Sequence, residues 1–169
     1  NSGIQGLSPY KPGKPIEELE REYGISDAIN LASNENPLGP SPKVLEALKG
    51  VLSGVHRYPD GNGFRLKKAL SSKYSVDVGS LTLGNGSNDI IEFVARCFLT
   101  PKSNAVYSKH AFAVYPLDAQ SLGAEGIEVE AKDWGHDLQA MLDVINKETK
   151  IVFIANPNNP TGTFIEKNE

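Results

Sequence analysis

From Ser80 onward, short β-branched runs alternate with stretches whose apolar residues recur at helical spacing. That alternation narrows the architecture more than any other feature of the chain. Residues 81–83 read as a strand running into Gly84-Asn85-Gly86, and Ile90, Ile91, Val94, Ala95 and Phe98 then mark one face of a helix. Residues 105–107 read as a strand, 112–122 as a helix closing near Gly123, 127–130 as a strand and 138–145 as a helix. Residues 151–155 form an apolar, partly β-branched run of the kind found in strands buried on both faces. The pattern predicts an α/β fold, a mainly parallel sheet with covering helices. Right-handed crossovers are expected between its parallel strands.

The first 80 residues are organised differently. Gly3, Gly6, Pro9, Pro12 and Gly13 make residues 1–13 an irregular arm. Pro15 stands where a first-turn proline belongs, ahead of Ile16, Leu19 and Tyr23 at helical spacing and then Gly24. Residues 33–42 are too rich in turn formers for regular structure. Ser41 and Pro42 start a helix whose apolar face holds Val44, Leu45, Leu48, Val51 and Leu52. Residues 57–63 form a loop, followed by a helix over about 66–74. The division expected is an arm of residues 1–40 and a domain of residues 41–169.

Composition removes several classes of function. A net charge of −4 with no long basic run argues against nucleic acid as the main partner. No apolar stretch approaches the roughly 20 residues needed to span a bilayer. Residues 1–9 lack the regions of a signal peptide, and the lone Cys97 suits a reducing, cytoplasmic setting without a disulfide framework. His56, His110 and His136 are too scattered to suggest a metal cluster, so no metal is expected. The chain starts at Asn1 and stops at Glu169 just past a Pro/Gly-rich turn, so both ends read as cuts.

Two motifs sit where ligands bind in such folds. Gly84-Asn85-Gly86-Ser87-Asn88-Asp89 joins a strand to a helix N-terminus. Glycines there allow a tight turn, and the first-turn N–H groups with the helix dipole favour an anion such as phosphate. The other reading is a plain turn with Ser87 or Asn88 as N-cap. Asp89 stands where a dinucleotide fingerprint needs its last glycine, which excludes that motif. The second motif, Asn156-Pro157-Asn158-Asn159-Pro160-Thr161-Gly162, follows the run 151–155 and so lies beyond the carboxyl end of a strand. It is either a ligand loop, with an Asn amide donating to a ligand oxygen, or a proline-stiffened turn.

The string Pro157-Asn158-Asn159-Pro160-Thr161-Gly162 resembles the signature of fold-type-I aminotransferases, which use pyridoxal 5'-phosphate. Further strings fall in the order of the histidinol-phosphate aminotransferase branch. They are Leu7-Ser8-Pro9-Tyr10-Lys11-Pro12-Gly13, Asn34-Glu35-Asn36-Pro37-Leu38-Gly39-Pro40-Ser41-Pro42, Arg57-Tyr58-Pro59-Asp60 and Gly86-Ser87-Asn88-Asp89. Together they run over nearly the whole chain.

The resemblance implies roles residue by residue. The backbone of Gly86, Ser87 and Asn88 would hold the cofactor phosphate. Phe112 would stack on the pyridine ring, where many relatives carry Tyr; read without the family, it is a core residue. Asn159 would bond the phenolic oxygen. Tyr58 would reach the cofactor phosphate of the neighbouring subunit in a homodimer, or else is a surface turn aromatic. Tyr10 and Asn34 would border the substrate, so that 1–40 is a substrate-bordering arm and 41–169 an incomplete cofactor-binding large domain. The family's Schiff-base lysine, its aspartate partner of the pyridine nitrogen and its phosphate- and carboxylate-binding arginines fall after the signature turn, beyond Glu169. No catalytic residue is therefore nominated here. Lys11, Lys14 and Lys109 are read as solvated charges, and the 169-residue chain alone is expected to be inactive and to expose apolar surface.

The activity implied is amino transfer between histidinol phosphate and 2-oxoglutarate, a small-molecule amino donor and a 2-oxo acid. Aromatic amino-acid aminotransferases, a threonine-phosphate decarboxylase and a non-catalytic phosphate-binding fragment are the alternatives. A nucleotide-binding α/β domain lacks its P-loop here.

Overall fold

A computed structural model describes residues 2–8 and 13–169 of the chain. Tyr10 and Lys11 lie outside the described residues. The chain divides into two units, one containing residues 2–8 and 82–169 and the other residues 13–81.

In the 13–81 unit the helices are α1 (Ile16–Tyr23), α2 (Pro42–Val51) and α3 (Phe64–Tyr74). Gly24 closes α1 in the left-handed conformation, its N–H donating to the Glu20 carbonyl. Lys14, just ahead of the helix, pairs with Glu18 and Glu22 on it. Ahead of α3, the Asp60 carboxylate accepts from the N–H groups of Asn62 (2.9 Å) and Phe64 (2.8 Å). The Phe64 bond first, then the Asn62 bond, holds the Asp60 carboxyl below its ordinary pKa. The predicted apolar face of α2 is present but uncovered: Leu45 and Leu48 are 47% and 50% exposed.

The other unit is layered. Helix α4 (Ser87–Phe98) leads into β1 (Asn104–Ser108), α5 (Val114–Ser121), β2 (Glu125–Val129), α6 (Leu138–Asp143) and β3 (Thr149–Phe153). The three strands form a parallel sheet in the order β2-β1-β3. Strand alternation assigns the two faces. Ala105 and Tyr107 of β1, with Ile151 and Phe153 of β3, pack against Ala95, Leu99, Tyr115 and Ala119 of the α4 and α5 layer. Val106 of β1 and Val129 of β2 pack on the opposite face with Met141 of α6. The expected α/β class with a parallel sheet is what the chain adopts.

Two sequence expectations need correction. Residues 81–83 are not a strand: no neighbouring segment pairs with them among the described residues, and an extended run without a ladder is not a strand. The strand buried on both faces is the central β1, not the 151–155 run. On β3 burial alternates: Ile151 and Phe153 are buried, whereas Val152 between them is 38% exposed.

The α6 N-terminus carries a testable cap. Asp137 Oδ accepts the N–H of Ala140 at 3.0 Å. Asp137→Ala is expected to cost about 0.5–2 kcal/mol, read as a lower urea midpoint at unchanged slope. A midpoint equal to the parent's would show that the cap contributes nothing.

Candidate active site

The turn before α4 is set by Gly86, whose φ of 89° and ψ of 174° lie in a region that essentially only glycine occupies. Gly84 is needed for a different reason: a Cβ there would stand 2.8 Å from the Asp89 Cβ and 3.0 Å from the Ile90 Cδ1. Asp89 turns back, its carboxylate accepting the Asn85 N–H at 2.8 Å. Gly86, not Ser87 or Asn88, occupies the N-cap position, and no side chain caps the helix. The first-turn N–H groups thus have no capping side chain, and nothing lies within 4 Å of a Cβ built on Gly86. An uncapped helix start beneath open space, with the Ser87 hydroxyl and Asn88 amide beside it, is a donor set that suits a phosphate.

Asn88, in the first turn of α4, lines a cleft of about 430 Å³ together with Glu92, Phe112, Val114, Leu117 and Asp118. Asn88 and Phe112 are therefore brought together. Phe112 is half-buried and joins both sequence readings: it packs against the core and also lines the cleft. Its ring meets Tyr115 edge-on at 5.9 Å, and Tyr115 lies flat on Phe153 at 4.4 Å. The aromatic wall of the cleft is thereby anchored to β3.

Asp118 belongs to this wall and was not apparent from the sequence. Burial chiefly, and then the neighbouring Glu92, raises its carboxyl above the ordinary value of 3.8, while Arg96 opposes the shift. Its Oδ2 is buried without a partner among the described residues. A carboxyl with a raised folded pKa takes up a proton more readily folded than unfolded. Its contribution therefore favours folding at low pH and is lost as pH rises through the folded value. Asp118→Asn is expected to raise Tm at neutral pH, and the gain should vanish below the unfolded titration near 3.8. A gain that ignores pH, or a loss at neutral pH, would contradict this assignment.

The loop after β3 is built by its own polar side chains. Asn156 bonds the N–H and carbonyl of Ile165 at 2.9 and 3.0 Å. Asn158, 3% exposed, donates from its amide to the His110 carbonyl (3.2 Å) and to the Thr161 hydroxyl (2.7 Å). Its backbone accepts from Gly162 and donates to Thr163. None of these loop bonds uses the side chain of Asn159, which is half-buried and does not line the 430 Å³ cleft. Sequence reasoning missed Asn158, because nothing in a run of two asparagines says which one turns inward.

Tyr58 and Asn34 belong to the 13–81 unit. Tyr58 is fully exposed, and Asn34 sits in an exposed stretch whose turns are held by Asn30 and Asn36. Lys109 donates to Glu130 at 2.8 and 3.1 Å, and that bond and charge hold its ammonium above the usual pKa. It is held charged, the opposite of what a nucleophilic lysine needs. Among the described residues no group of three or more His, Cys, Asp or Glu could hold a metal. No helix among them is long and apolar enough to cross a membrane.

The family model for aminotransferase class I and II matches residues 26–169. The chain is 57% identical over 168 residues to histidinol-phosphate aminotransferase 1 of Nitrosococcus oceani, covering 99% of this chain and 45% of that protein. It is 60% identical over 164 residues to histidinol-phosphate aminotransferase 2 of Pseudomonas aeruginosa, covering 96% and 44%. The crystal structure of histidinol-phosphate aminotransferase from Sinorhizobium meliloti in complex with pyridoxal-5'-phosphate superposes with a TM-score of 0.86 at 26% identity, over 98% of this chain and 44% of that one. The chain thus spans a little under half the length of these relatives, and its structural neighbours are fold-type-I aminotransferases. With 26–169 matched and more than half its residues shared with these enzymes, the chain belongs to the aminotransferase class I and II family.

Proposed function

We propose that this chain is the part of a pyridoxal 5'-phosphate-dependent aminotransferase that anchors the cofactor phosphate, and that the whole enzyme transfers an amino group between histidinol phosphate and 2-oxoglutarate in histidine biosynthesis. The observation that carries the reading is the uncapped N-terminus of α4 beside Gly86, sharing a cleft with Phe112 through Asn88. The names of the relatives support the amino donor. The N–H groups of Gly86, Ser87 and Asn88 take the phosphate, Phe112 offers its face to the pyridine ring, and Asn159 donates its amide to the phenolic oxygen. When bound, the cofactor supplies the electron sink for breaking a bond at the donor's α-carbon, and the protein supplies orientation and electrostatics. Tyr58, held out in solvent, reaches the phosphate of a partner subunit in a cytoplasmic homodimer. Tyr10 and Asn34 border the substrate, with residues 1–40 as the arm and 41–169 as the start of the large domain.

The test is a comparison of amino donors with the intact enzyme. Histidinol phosphate with 2-oxoglutarate should give the highest kcat/KM, above phenylalanine and tyrosine, and threonine phosphate should release no carbon dioxide. Preference for an aromatic donor, or decarboxylation, would replace the proposed substrate while leaving the family intact. The 169-residue chain alone should show no turnover and no specifically labelled lysine after treatment with pyridoxal phosphate and borohydride, because Lys109 is held charged by Glu130 and no described lysine lines the 430 Å³ cleft. A single labelled lysine with turnover would mean that the chain is self-sufficient.

A further inference from the structure

The loop that carries Asn159 is tied from behind by the connection between β2 and α6. His136 is partly buried there, and its Nε2 lies 2.9 Å from the carbonyl of Ala155, the residue just before the Asn156-Pro157-Asn158-Asn159 turn. A carbonyl only accepts, so the Nε2 carries the hydrogen of this bond. The Nδ1 is buried with no partner among the described residues, so Nε2 is the ring nitrogen that the packing uses. Two neighbouring peptides continue the tie. The Trp134 carbonyl accepts from the Thr163 hydroxyl at 3.3 Å, and the Gly135 carbonyl accepts from the Ser108 hydroxyl at 3.4 Å. Gly135 sits so close that a Cβ on it would lie 3.1 Å from the Thr163 hydroxyl. Residues 134–136 thus join the end of β1 to both sides of the 156–163 loop. The charged neighbours lining the adjoining cavity are Lys132, Asp133, Asp137 and Glu169.

We infer that His136 is a positioning residue for amino transfer: by fixing the Ala155 peptide it sets where Asn159 presents its amide to the phenolic oxygen of the cofactor. The inference rests on the reading of Asn159 given above. His136 touches neither cofactor nor substrate. It acts through the direction in which the chain leaves β3. A small error in that direction is enough to lengthen a single hydrogen bond at the phenolic oxygen, and a bond of that kind falls off steeply with angle and distance.

The experiment uses the intact holoenzyme and reads the bound cofactor. The pH midpoint of its visible absorbance reports the bond to the phenolic oxygen, and its dissociation constant reports the affinity. Asn159→Ala should shift the midpoint, and His136→Leu should shift it in the same direction with about a tenfold weaker cofactor, the loss expected for one hydrogen bond. His136→Gln, whose amide can still donate to the Ala155 carbonyl, should restore both. A merely structural histidine would lower Tm and leave the midpoint alone. A folded His136→Leu with the Asn159→Ala shift absent overturns the inference. Should His136→Leu not fold, Thr163→Val loosens the same joint from the loop side, and an unshifted midpoint there overturns it equally. If Asn159→Ala itself leaves the midpoint unmoved, the role given to Asn159 fails and the positioning role fails with it. That outcome is distinct from one in which only the His136 variant is silent.

Discussion

Phe153→Ala is expected to destabilise the fold by about 3–5 kcal/mol. Phe153 is 8% exposed at the end of β3, in the cluster that also holds Ala105, Tyr107 and Ile151. Removing its ring leaves a cavity beneath Tyr115, which stacks on it at 4.4 Å and 7°. That geometry contributes roughly 0.5–1.5 kcal/mol beyond the area buried. Small domains are stable by only about 5–15 kcal/mol, so much of the margin goes with one side chain. Tyr115 in turn supports Phe112, so cofactor affinity should fall as well. Urea unfolding of the intact enzyme checks the first effect. A loss below about 1 kcal/mol would mean that α5 and β3 are not joined through this ring, since buried aromatic truncations cost several times that.

The second large effect is at the phosphate turn. Gly86→Ala is expected to cost about 1–3 kcal/mol in backbone strain, because its φ of 89° and ψ of 174° exclude an L side chain. The new methyl would also stand in the open space above the turn, where the phosphate is proposed to lie. Cofactor affinity should therefore drop by roughly ten- to a hundredfold, at about 1.4 kcal/mol per tenfold. Ser87→Ala keeps every backbone N–H and removes only a hydroxyl, so its effect should be a few-fold at most. Equal losses in the two variants would shift the site from the backbone to the Ser87 side chain. Fluorescence titration of the apoenzyme with pyridoxal phosphate measures both.

Much of the fold was readable because it depends on periodicity. The strand and helix runs from 104 onward needed only alternation and helical spacing, and the parallel sheet followed from their order. The failures came from properties that a local run does not carry. Residues 81–83 have strand-like composition, but a strand is a relation to a neighbour. Residues 151–155 look as apolar as a central strand, yet which strand is central depends on the order β2-β1-β3. The site divided in the same way. Gly86 and Phe112 stood out by type and position, whereas Asn158 and His136 act through partners 48 and 19 residues away. No spacing rule links an asparagine to the carbonyl of His110 or a histidine to that of Ala155. Asp118 drew no notice either, since a carboxylate on a helix is ordinarily solvated, and only its burial beside Glu92 sets it apart.

We propose that the start of α4 anchors the cofactor phosphate. A crystal structure of the intact enzyme with pyridoxal phosphate tests it most directly. The phosphate oxygens are expected within hydrogen-bonding reach of the N–H groups of Gly86, Ser87 and Asn88, with the pyridine ring against Phe112 and the phenolic oxygen at the Asn159 amide. A phosphate held elsewhere, with the 84–89 turn in contact only with solvent or protein, would contradict it.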